Sequence, residues 1–196
     1  LNYDQFLKNK INFNKKKISN YSLFDLSIGI IGLGRIGINV AKIAKKLGLK
    51  VLYFDPHVND KRFYKVNSLL SLAKKSNILT LHIHFDLRKK SMINHKILDN
   101  MKEPSFLINT SRGELIDEKI LLHFIKNKRI SGCALDTLVN EFTEKFRNNQ
   151  KKNKLIQLFN SKKYNLFITP KIGGAVKEAW EITENYLIDT LIKKYE

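Results

Sequence analysis

Cysteine, acidic residues and long apolar runs are all scarce in this chain of 196 residues. The single cysteine, Cys133, excludes a disulfide bond within the chain and is typical of a reducing compartment. No apolar run reaches the ~20 residues that a membrane-spanning helix requires, and no segment has the pattern of a signal peptide. We therefore expect a cytoplasmic protein without a membrane partner, and the length suffices for a domain with a proper hydrophobic core.

The shortage of acidic residues makes the chain strongly basic. It has 18 aspartates and glutamates against 36 lysines and arginines, so the formal net charge is +18 at pH 7. Such a charge can indicate nucleic-acid binding, which would weaken steeply with salt. The lysines, however, lie in pairs along the whole chain, and no zinc-ligand set, stacking-aromatic motif or recognition-helix pattern accompanies them. We therefore favour solvated basic faces that attract anionic substrates, and expect no nucleic-acid partner and no metal.

A strand, a glycine turn and a helix start are predicted within residues 28–37. The apolar run Ile28–Ile31 is typical of a parallel strand that is covered on both faces. Of the glycines that follow, Gly32 permits a tight turn, Gly34 lets the backbone approach a pyrophosphate, and Gly37 lets the helix pack closely on the strand. This order predicts a nucleotide-diphosphate site. The alternative is a glycine-rich turn in another kind of α/β protein.

The residues after these glycines predict which nucleotide is bound. The predicted helix from Arg35 to Leu47, with Ile36 in its first turn, points free N–H groups and the positive end of its dipole at the phosphates. Asp55 ends the next predicted strand, Val51–Phe54, and can accept hydrogen bonds from both hydroxyls of the adenosine ribose. A carboxylate there would repel a 2′-phosphate, so we expect NAD rather than NADP as the cofactor.

Strands and helices alternate through the rest of the chain. This alternation predicts an α/β protein with a doubly wound parallel sheet of the Rossmann type, in three α/β/α layers. Further strands are predicted at 78–83, 105–109, 130–135 and 166–169. Helices are predicted at 68–75 with Ser68 as a cap, at 95–100, at 117–126 and, as one long amphipathic helix, at 175–195. Residues 142–154 have a loop-like composition, and a short helix at 3–10 is possible within the polar segment 1–26.

Four further segments identify a family. They are Leu81-His82-Ile83-His84, the run from Ile108 to Glu118, the run from Gly132 to Asp136, and the run from Ile168 to Gly174. Together with the glycine motif they closely resemble the D-isomer-specific 2-hydroxyacid dehydrogenases, the group that includes phosphoglycerate dehydrogenase, over about residues 26–190. The resemblance implies an NAD-dependent oxidoreductase that interconverts a 2-keto acid and a D-2-hydroxy acid by hydride transfer, and it implies a homodimer.

The same resemblance divides the chain. The family inserts its nucleotide-binding domain into a substrate domain that consists of the N-terminal part and the last helix. Residues 1–26 are then a linker at the end of a missing substrate domain, residues 27–175 form the NAD-binding domain, and residues 176–196 form a helix that returns toward the substrate domain. Apolar positions of that helix, such as Trp180 and Tyr186, are then expected to be exposed or to take another partner.

The resemblance assigns catalytic roles to three residues. Arg112 falls at the family's substrate-binding arginine, whose planar fork can hold a carboxylate and polarise the neighbouring carbonyl; the alternative is a surface arginine at a helix end. Glu141 falls where the family has the glutamate that orients its catalytic histidine, although Phe142 replaces the proline that follows; the alternative is one more loop glutamate. Lys171 stands after Thr169-Pro170, at the place of that histidine.

Lysine at position 171 changes the expected acid–base chemistry. Histidine, with a pKa near ~6.5, can donate a proton to the carbonyl oxygen during reduction and remove it during oxidation. Lysine, with a reference pKa near ~10.4, can donate a proton but must first lose one before it acts as a base. We expect reduction to dominate near neutral pH if Lys171 is the acid. Alternatively, Lys171 marks lost catalysis, and the chain is then an NAD(H)-binding sensor or interaction module.

The resemblance also assigns cofactor contacts beyond the glycine motif. Asp136 matches a residue near the nicotinamide carboxamide, and the backbone at Thr110 and Ser111 would line the same ring. His82 matches a histidine close to the cofactor, whereas His84 replaces a proline that many members have. The cofactor contacts expected in the last of the four segments are Gly173 and Gly174.

Overall fold

One parallel sheet of seven strands forms the centre of the molecule. In the computed structural model, residues 22–195 are described, so the predicted helix at 3–10 and most of the predicted linker lie outside the described residues. The strands, β1 to β7, are Ser27–Ile31, Lys50–Phe54, Tyr64–Lys65, Ile78–Leu81, Phe106–Asn109, Gly132–Leu135 and Leu166–Ile168. Their order in the sheet is β3-β2-β1-β4-β5-β6-β7, and every adjacent pair is parallel. The predicted doubly wound sheet is confirmed.

Seven α-helices follow or separate the strands in the described part of the chain. They are α1 Arg35–Lys46, α2 Leu69–Lys75, α3 His95–Asp99, α4 Glu118–Lys126, α5 Glu144–Asn148, α6 Lys154–Asn160 and α7 Lys177–Tyr195. Five of them, α2 to α6, start behind a side chain that accepts a hydrogen bond from the first turn: Ser68, Asn94, Asp117, Thr143 and Asn153. Helix α1 instead begins behind Gly34, which provides no side-chain cap. The cap predicted at Ser68 is confirmed.

Two hydrophobic cores lie on opposite faces of the sheet. Ile30 of β1 belongs to one core together with Ala41 of α1. Its neighbour Ile31 belongs to the other, larger core, together with Leu72 of α2 and Phe124 of α4. Because successive side chains of a strand point to opposite faces, helices cover the sheet on both sides, which gives the expected three layers.

The prediction of a loop at 142–154 is wrong. The segment contains α5, a 3-10 helix at Gln150–Lys152 and the start of α6. Among its many lysines and asparagines, Phe146 packs against the larger core, and Leu155, directly after the segment, is buried in that core. Strand β3 was not predicted at all, because two residues are too few to show an alternating pattern.

The long last helix is confirmed, but its predicted amphipathic character is wrong. A helix turns by about 100° per residue, so Trp180 and Leu187 lie on one side of α7, while Ile182 and Tyr186 lie on another. Of these side chains, 55–69% is exposed. The exposure expected for Trp180 and Tyr186 is therefore found, and it affects more than one face of the helix.

The winding of the chain selects one edge of the sheet for binding. Strand β1 lies between β2 and β4, so the direction of winding reverses beside it. In sheets of this kind, ligands bind in the crevice at the carboxyl ends of the strands next to such a reversal. The residues that directly follow a strand at this edge are Gly32, Asp55, His82, Thr110, Asp136 and Thr169.

Candidate functional site

Each glycine of the turn after β1 has its own spatial reason. Gly32 has a φ of +88°, and a Cβ there would lie 2.4 Å from the side chain of Ile83. A Cβ on Gly37 would lie 2.0 Å from the carbonyl oxygen of Gly32, so the helix and the turn touch through backbone alone. A Cβ on Gly34 would meet nothing within 4 Å. The protein itself therefore leaves open space beside Gly34.

That open space lies at the first turn of α1. The N–H groups of the first helical residues, Arg35, Ile36 and Gly37, have no acceptor within the helix, and Gly34 offers no side-chain cap. Helix N-termini of this kind bind phosphate through their free N–H groups and the positive end of the helix dipole. The residues present thus fit the pyrophosphate of a dinucleotide.

Asp55 connects the end of β2 to the glycine turn. Its carboxylate accepts hydrogen bonds from the backbone N–H groups of Leu33 (2.9 Å), His57 (2.8 Å) and Val58 (3.0 Å). Burial acts to raise the pKa of Asp55, but these backbone donors outweigh it, and the pKa is lowered. Asp55 is therefore anionic at neutral pH. Since a carboxylate has about four acceptor positions, it retains capacity for a further donor such as a ribose hydroxyl.

His82 follows β4 as a neutral, largely buried ring. Its Nε2 lies 2.9 Å from the hydroxyl of Thr80. Burial lowers the pKa of His82, because the charged form loses hydration. The side chain beside the glycine turn is thus a hydrogen-bonding ring without charge, whereas His84, two residues later, is exposed.

The loop after β5 is held by a buried asparagine, Asn109, for which no role was predicted from the sequence. The Asn109 side chain accepts from the N–H of Ser111 (3.0 Å) and donates to the carbonyl of Arg112 (2.8 Å). The hydroxyl of Ser111 donates to the carbonyl of Leu81 in β4 (2.9 Å). This network fixes Thr110 and Ser111 at the carboxyl edge of the sheet. The signal in the sequence is a polar residue at the end of an apolar strand.

Arg112 lies on the surface of this loop. Its Nη1 donates to the carbonyl of Ser111 at 2.7 Å, and the residue is exposed. The guanidinium is therefore attached to the loop at one nitrogen. A planar fork with five N–H donors keeps others for a carboxylate ligand.

Asp136, which follows β6, organises the loop after β7. Its carboxylate accepts from the hydroxyl of Thr169 and from the N–H groups of Ile172 (2.9 Å) and Gly173 (3.0 Å). Burial acts to raise the pKa of Asp136, but these donors outweigh it and lower the pKa. A Cβ on Gly173 would lie 2.9 Å from this carboxylate, whereas one on Gly174 would meet nothing within 4 Å. Sequence reasoning missed this structural role of Asp136.

The structure brings Lys171 and Glu141 into contact. Nζ of Lys171 donates to Oε1 of Glu141 at 3.1 Å, and Oε2 of Glu141 accepts from the N–H of Leu138 at 3.0 Å. Lys171 has a φ of +55°, in the left-handed region that a lysine adopts only at a cost, and such strain tends to occur at functional sites. The two residues assigned as acid and orienting glutamate thus form an ion pair, although thirty positions separate them in the chain.

The comparison with known proteins agrees with this geometry. A family model for the NAD binding domain of the D-isomer specific 2-hydroxyacid dehydrogenases matches residues 1–173. The chain belongs to this family. The finding agrees with the parallel sheet and the glycine turn.

Individual members of the family are similar over most of the chain. A glycerate dehydrogenase from Methylorubrum extorquens is 34% identical over 175 residues, which are 88% of this chain and 52% of that protein. The structure of a D-lactate dehydrogenase from Aquifex aeolicus, complexed with NAD and lactic acid, has a TM-score of 0.82 and 28% identity and covers 98% of this chain and 60% of that one. An acyclic imino acid reductase in complex with NADPH and D-Arg gives a TM-score of 0.80 and 32% identity over 98% of this chain and 58% of that one.

Three further observations concern the extent of the chain and the composition of its described residues. This chain spans only about half of the glycerate dehydrogenase, so it corresponds to one part of such relatives. Within residues 22–195, no helix combines the length and the apolar composition needed to cross a membrane. The same residues contain no group of three or more histidine, cysteine or acidic side chains that could hold a metal ion.

Proposed function

We propose that this chain is the cofactor-binding part of an oxidoreductase that interconverts a 2-keto acid and a D-2-hydroxy acid. The observation that carries the proposal is the contact of Lys171 with Glu141, at the same sheet edge as Arg112 and the glycine turn. Residues 27–175 would form the NAD-binding domain, and residues 176–196 the helix that returns toward a substrate domain. Residues 1–26 would be the linker at the end of that domain.

The cofactor would lie along the carboxyl edge of the sheet. Gly32, Gly34 and the first turn of α1 would hold the pyrophosphate, and Asp55 the adenosine ribose, where its charge opposes a 2′-phosphate. The residues that would surround the nicotinamide end are His82, Thr110, Ser111, Asp136, Gly173 and Gly174. When bound, NADH supplies the hydride.

The protein's own groups would bind the acid and move the proton. Arg112 would hold the substrate carboxylate through its free N–H donors. Lys171 would donate a proton to the carbonyl oxygen, and Glu141 would fix the direction of its ammonium group. An ammonium group can donate a proton to a developing alkoxide, but it has no lone pair with which to take one from an alcohol. Reduction, rather than oxidation, should therefore dominate near neutral pH.

Turnover with a panel of 2-keto acids tests this proposal. The loss of NADH absorbance is measured for the chain with an upstream substrate region restored. We expect reduction of at least one keto acid, and its loss by a factor of about 100 or more in Arg112→Ala, since a bidentate charged contact is removed. The affinity for NADH should stay within about twofold in the variant. Arg112 is not part of the proposed phosphate cradle, which consists of Gly32, Gly34 and the first turn of α1.

A second candidate is an NAD(H)-binding sensor or interaction module without turnover. The lysine at position 171 favours it, because a histidine stands there in the family that the chain resembles. Tight NADH binding in a sample that reduces none of the keto acids would decide for this candidate. The retained Arg112 and Glu141 argue against it, because binding of NADH alone requires neither.

An apolar stripe on α1 supports a homodimer. Ile36, Ile43 and Leu47 recur at helical spacing, and 54–67% of each is exposed. We expect sedimentation to give a dimer, and Ile43→Asp to give a monomer. Leu87→Asp, at a more exposed apolar residue elsewhere, should leave the dimer intact. A monomeric wild-type protein would contradict this assembly.

We also propose a cytoplasmic location for the chain. Cys133 is a free and buried thiol, and burial raises its pKa, which keeps it from reacting. A chain with one such cysteine needs no oxidising compartment to fold.

A further inference from the structure

An exposed phenylalanine lies against the ammonium group of Lys171. The centroid of the Phe142 ring is 3.9 Å from Nζ of Lys171. Other cation–ring pairs in the described part of the chain are 5.0–5.9 Å apart. A cation is attracted to the face of an aromatic ring within about 6 Å of its centroid, so the contact with Phe142 is a close one.

Core packing does not explain the position of this ring. Of Phe142, 64% is exposed, and neither hydrophobic core of the described residues includes it. Phe146, one turn later, packs against the larger core instead. The ring of Phe142 therefore stands at the surface, where its close neighbour is the ammonium group.

The backbone around Phe142 is anchored on both sides. The carbonyl of Phe142 accepts a hydrogen bond from Nη2 of Arg147 at 2.9 Å. The hydroxyl of Thr143 donates to the carbonyl of Asn140 at 2.9 Å and accepts from the N–H of Phe146 at the start of α5. The ring and the carboxylate of Glu141 thus come from adjacent residues of one fixed turn.

The two contacts leave part of the ammonium group available. A lysine ammonium has three N–H donors. One donates to Oε1 of Glu141, and the ring face occupies a second direction. One donor therefore remains beyond these two contacts, on a side chain that is 32% exposed.

We propose that Phe142 is a positioning residue for Lys171. Its ring and the carboxylate of Glu141 hold the ammonium from two sides and direct the third N–H toward the substrate carbonyl. The inference rests on the proposed function, in which Lys171 is the proton donor. It gives a role to Phe142, which stands where the family has proline. It also connects the replacement of that proline to the lysine at position 171.

An NMR measurement tests the contact without turnover. In protein with lysine labelled at the ε-carbon, the Lys171 signal is assigned by its loss in Lys171→Arg. We expect ring currents to shift this signal away from those of the other lysines, the shift to vanish in Phe142→Leu, and Phe142→Tyr to retain it. Phe24→Leu, at another exposed phenylalanine, is the matched control and should change nothing. An unshifted signal in the wild type, or a shift that survives in Phe142→Leu, overturns the proposal.

Kinetics tests the functional consequence. With the substrate region present, Phe142→Leu should lower kcat for keto-acid reduction about 2- to 30-fold, the range that a cation–ring contact can contribute. KM should stay within about twofold, and Phe142→Tyr should restore kcat, which a merely structural role would not predict. An unchanged kcat in Phe142→Leu, or a failure of Phe142→Tyr to restore it, overturns the proposal. A wild type that reduces no keto acid would refute the proposed function, while the NMR comparison still decides the contact.

Discussion

At the scale of single residues, two glycines at the start of α1 have opposite surroundings. A side chain on Gly37 would collide with the carbonyl of Gly32, whereas one on Gly34 would enter open space. Gly37→Ala should therefore lower the free energy of unfolding by about 1–3 kcal/mol, the usual cost of overpacking. Gly34→Ala should leave stability nearly unchanged but weaken NADH binding, because its methyl group occupies the proposed phosphate cradle.

These two variants control for each other. Urea unfolding and a fluorescence titration with NADH measure both quantities in each. If Gly34→Ala binds NADH as the wild type does, the phosphates do not lie beside that glycine. If Gly37→Ala is as stable as the wild type, the close approach of helix and turn is not required.

If Lys171 is the proton donor, as proposed, it sets the pH dependence expected of the proposed reaction. A base with a high reference pKa is available only at alkaline pH, so oxidation of the hydroxy acid should require a higher pH than with histidine. Lys171→His should move the oxidation profile toward acid, by comparison of kcat/KM across pH. Lys171→Met places a side chain that does not titrate at this position. The kcat/KM that remains in this variant should therefore no longer show this dependence on pH. An unchanged profile in Lys171→His would show that another group titrates.

Some residue roles could be read from the sequence and others could not. The contact of Glu141 with Lys171 was anticipated only through the resemblance to a family. The carboxylate of Asp136 accepts hydrogen bonds from Ile172 and Gly173, which lie more than thirty positions away in the chain. No local sequence pattern can predict such bonds. The buried amide of Asn109 is recognisable only by its place at the end of an apolar strand.

At the scale of elements, local caps decide where the short helices begin. Thr143 accepts from the N–H of Phe146 at the start of α5, and this bond would be lost in Thr143→Ala. The free energy of unfolding should fall by about 0.5–2 kcal/mol, as for other lost N-caps. Thr143→Ser keeps the hydroxyl and should remain close to the wild type. Equal stability of the alanine and serine variants would mean that α5 does not depend on its cap.

Elements with a clear apolar pattern were predictable, and the others depended on tertiary contacts. All the strands read from apolar runs are present, with ends displaced by one or two residues. Helix α5 was missed because Phe146 is the one apolar residue that connects it to the core. Helix α6 could have been predicted, since Leu155, Ile156, Leu158 and Phe159 lie at helical spacing and contact the larger core. The two-residue strand β3 depends on pairing with β2, which a sequence pattern cannot show.

At the scale of the whole molecule, acid should unfold the protein through its hydrogen-bonded carboxylates. The pKa values of Asp55 and Asp136 are lowered, because backbone donors outweigh the effect of burial. The stability that each contributes is complete above the unfolded pKa, near ~3.9, and is lost as the pH falls through the lowered folded value. We therefore expect the free energy of unfolding to decrease below about pH 4.

Asp136→Asn tests this origin of the acid sensitivity. The variant should be less stable than the wild type at neutral pH, and its stability should fall less steeply in acid. Glu178→Gln, on the exposed helix α7, is the matched control and should keep the wild-type slope. Identical slopes for Asp136→Asn and the wild type would exclude Asp136 as a cause of the acid dependence.

The candidate site lies outside both hydrophobic cores, although the hydrogen-bonded carboxylates of Asp55 and Asp136 also stabilise the fold. Most residues that would bind or react follow the carboxyl end of a strand, either directly or in the next loop, whereas the ladder and both cores are made by others. Exchanging a side chain at this edge leaves the sheet's hydrogen bonds untouched. Such an architecture lets evolution replace chemical groups one at a time while the scaffold remains constant. Lys171 and Phe142, which contact each other beside Glu141, belong to the loops at this edge.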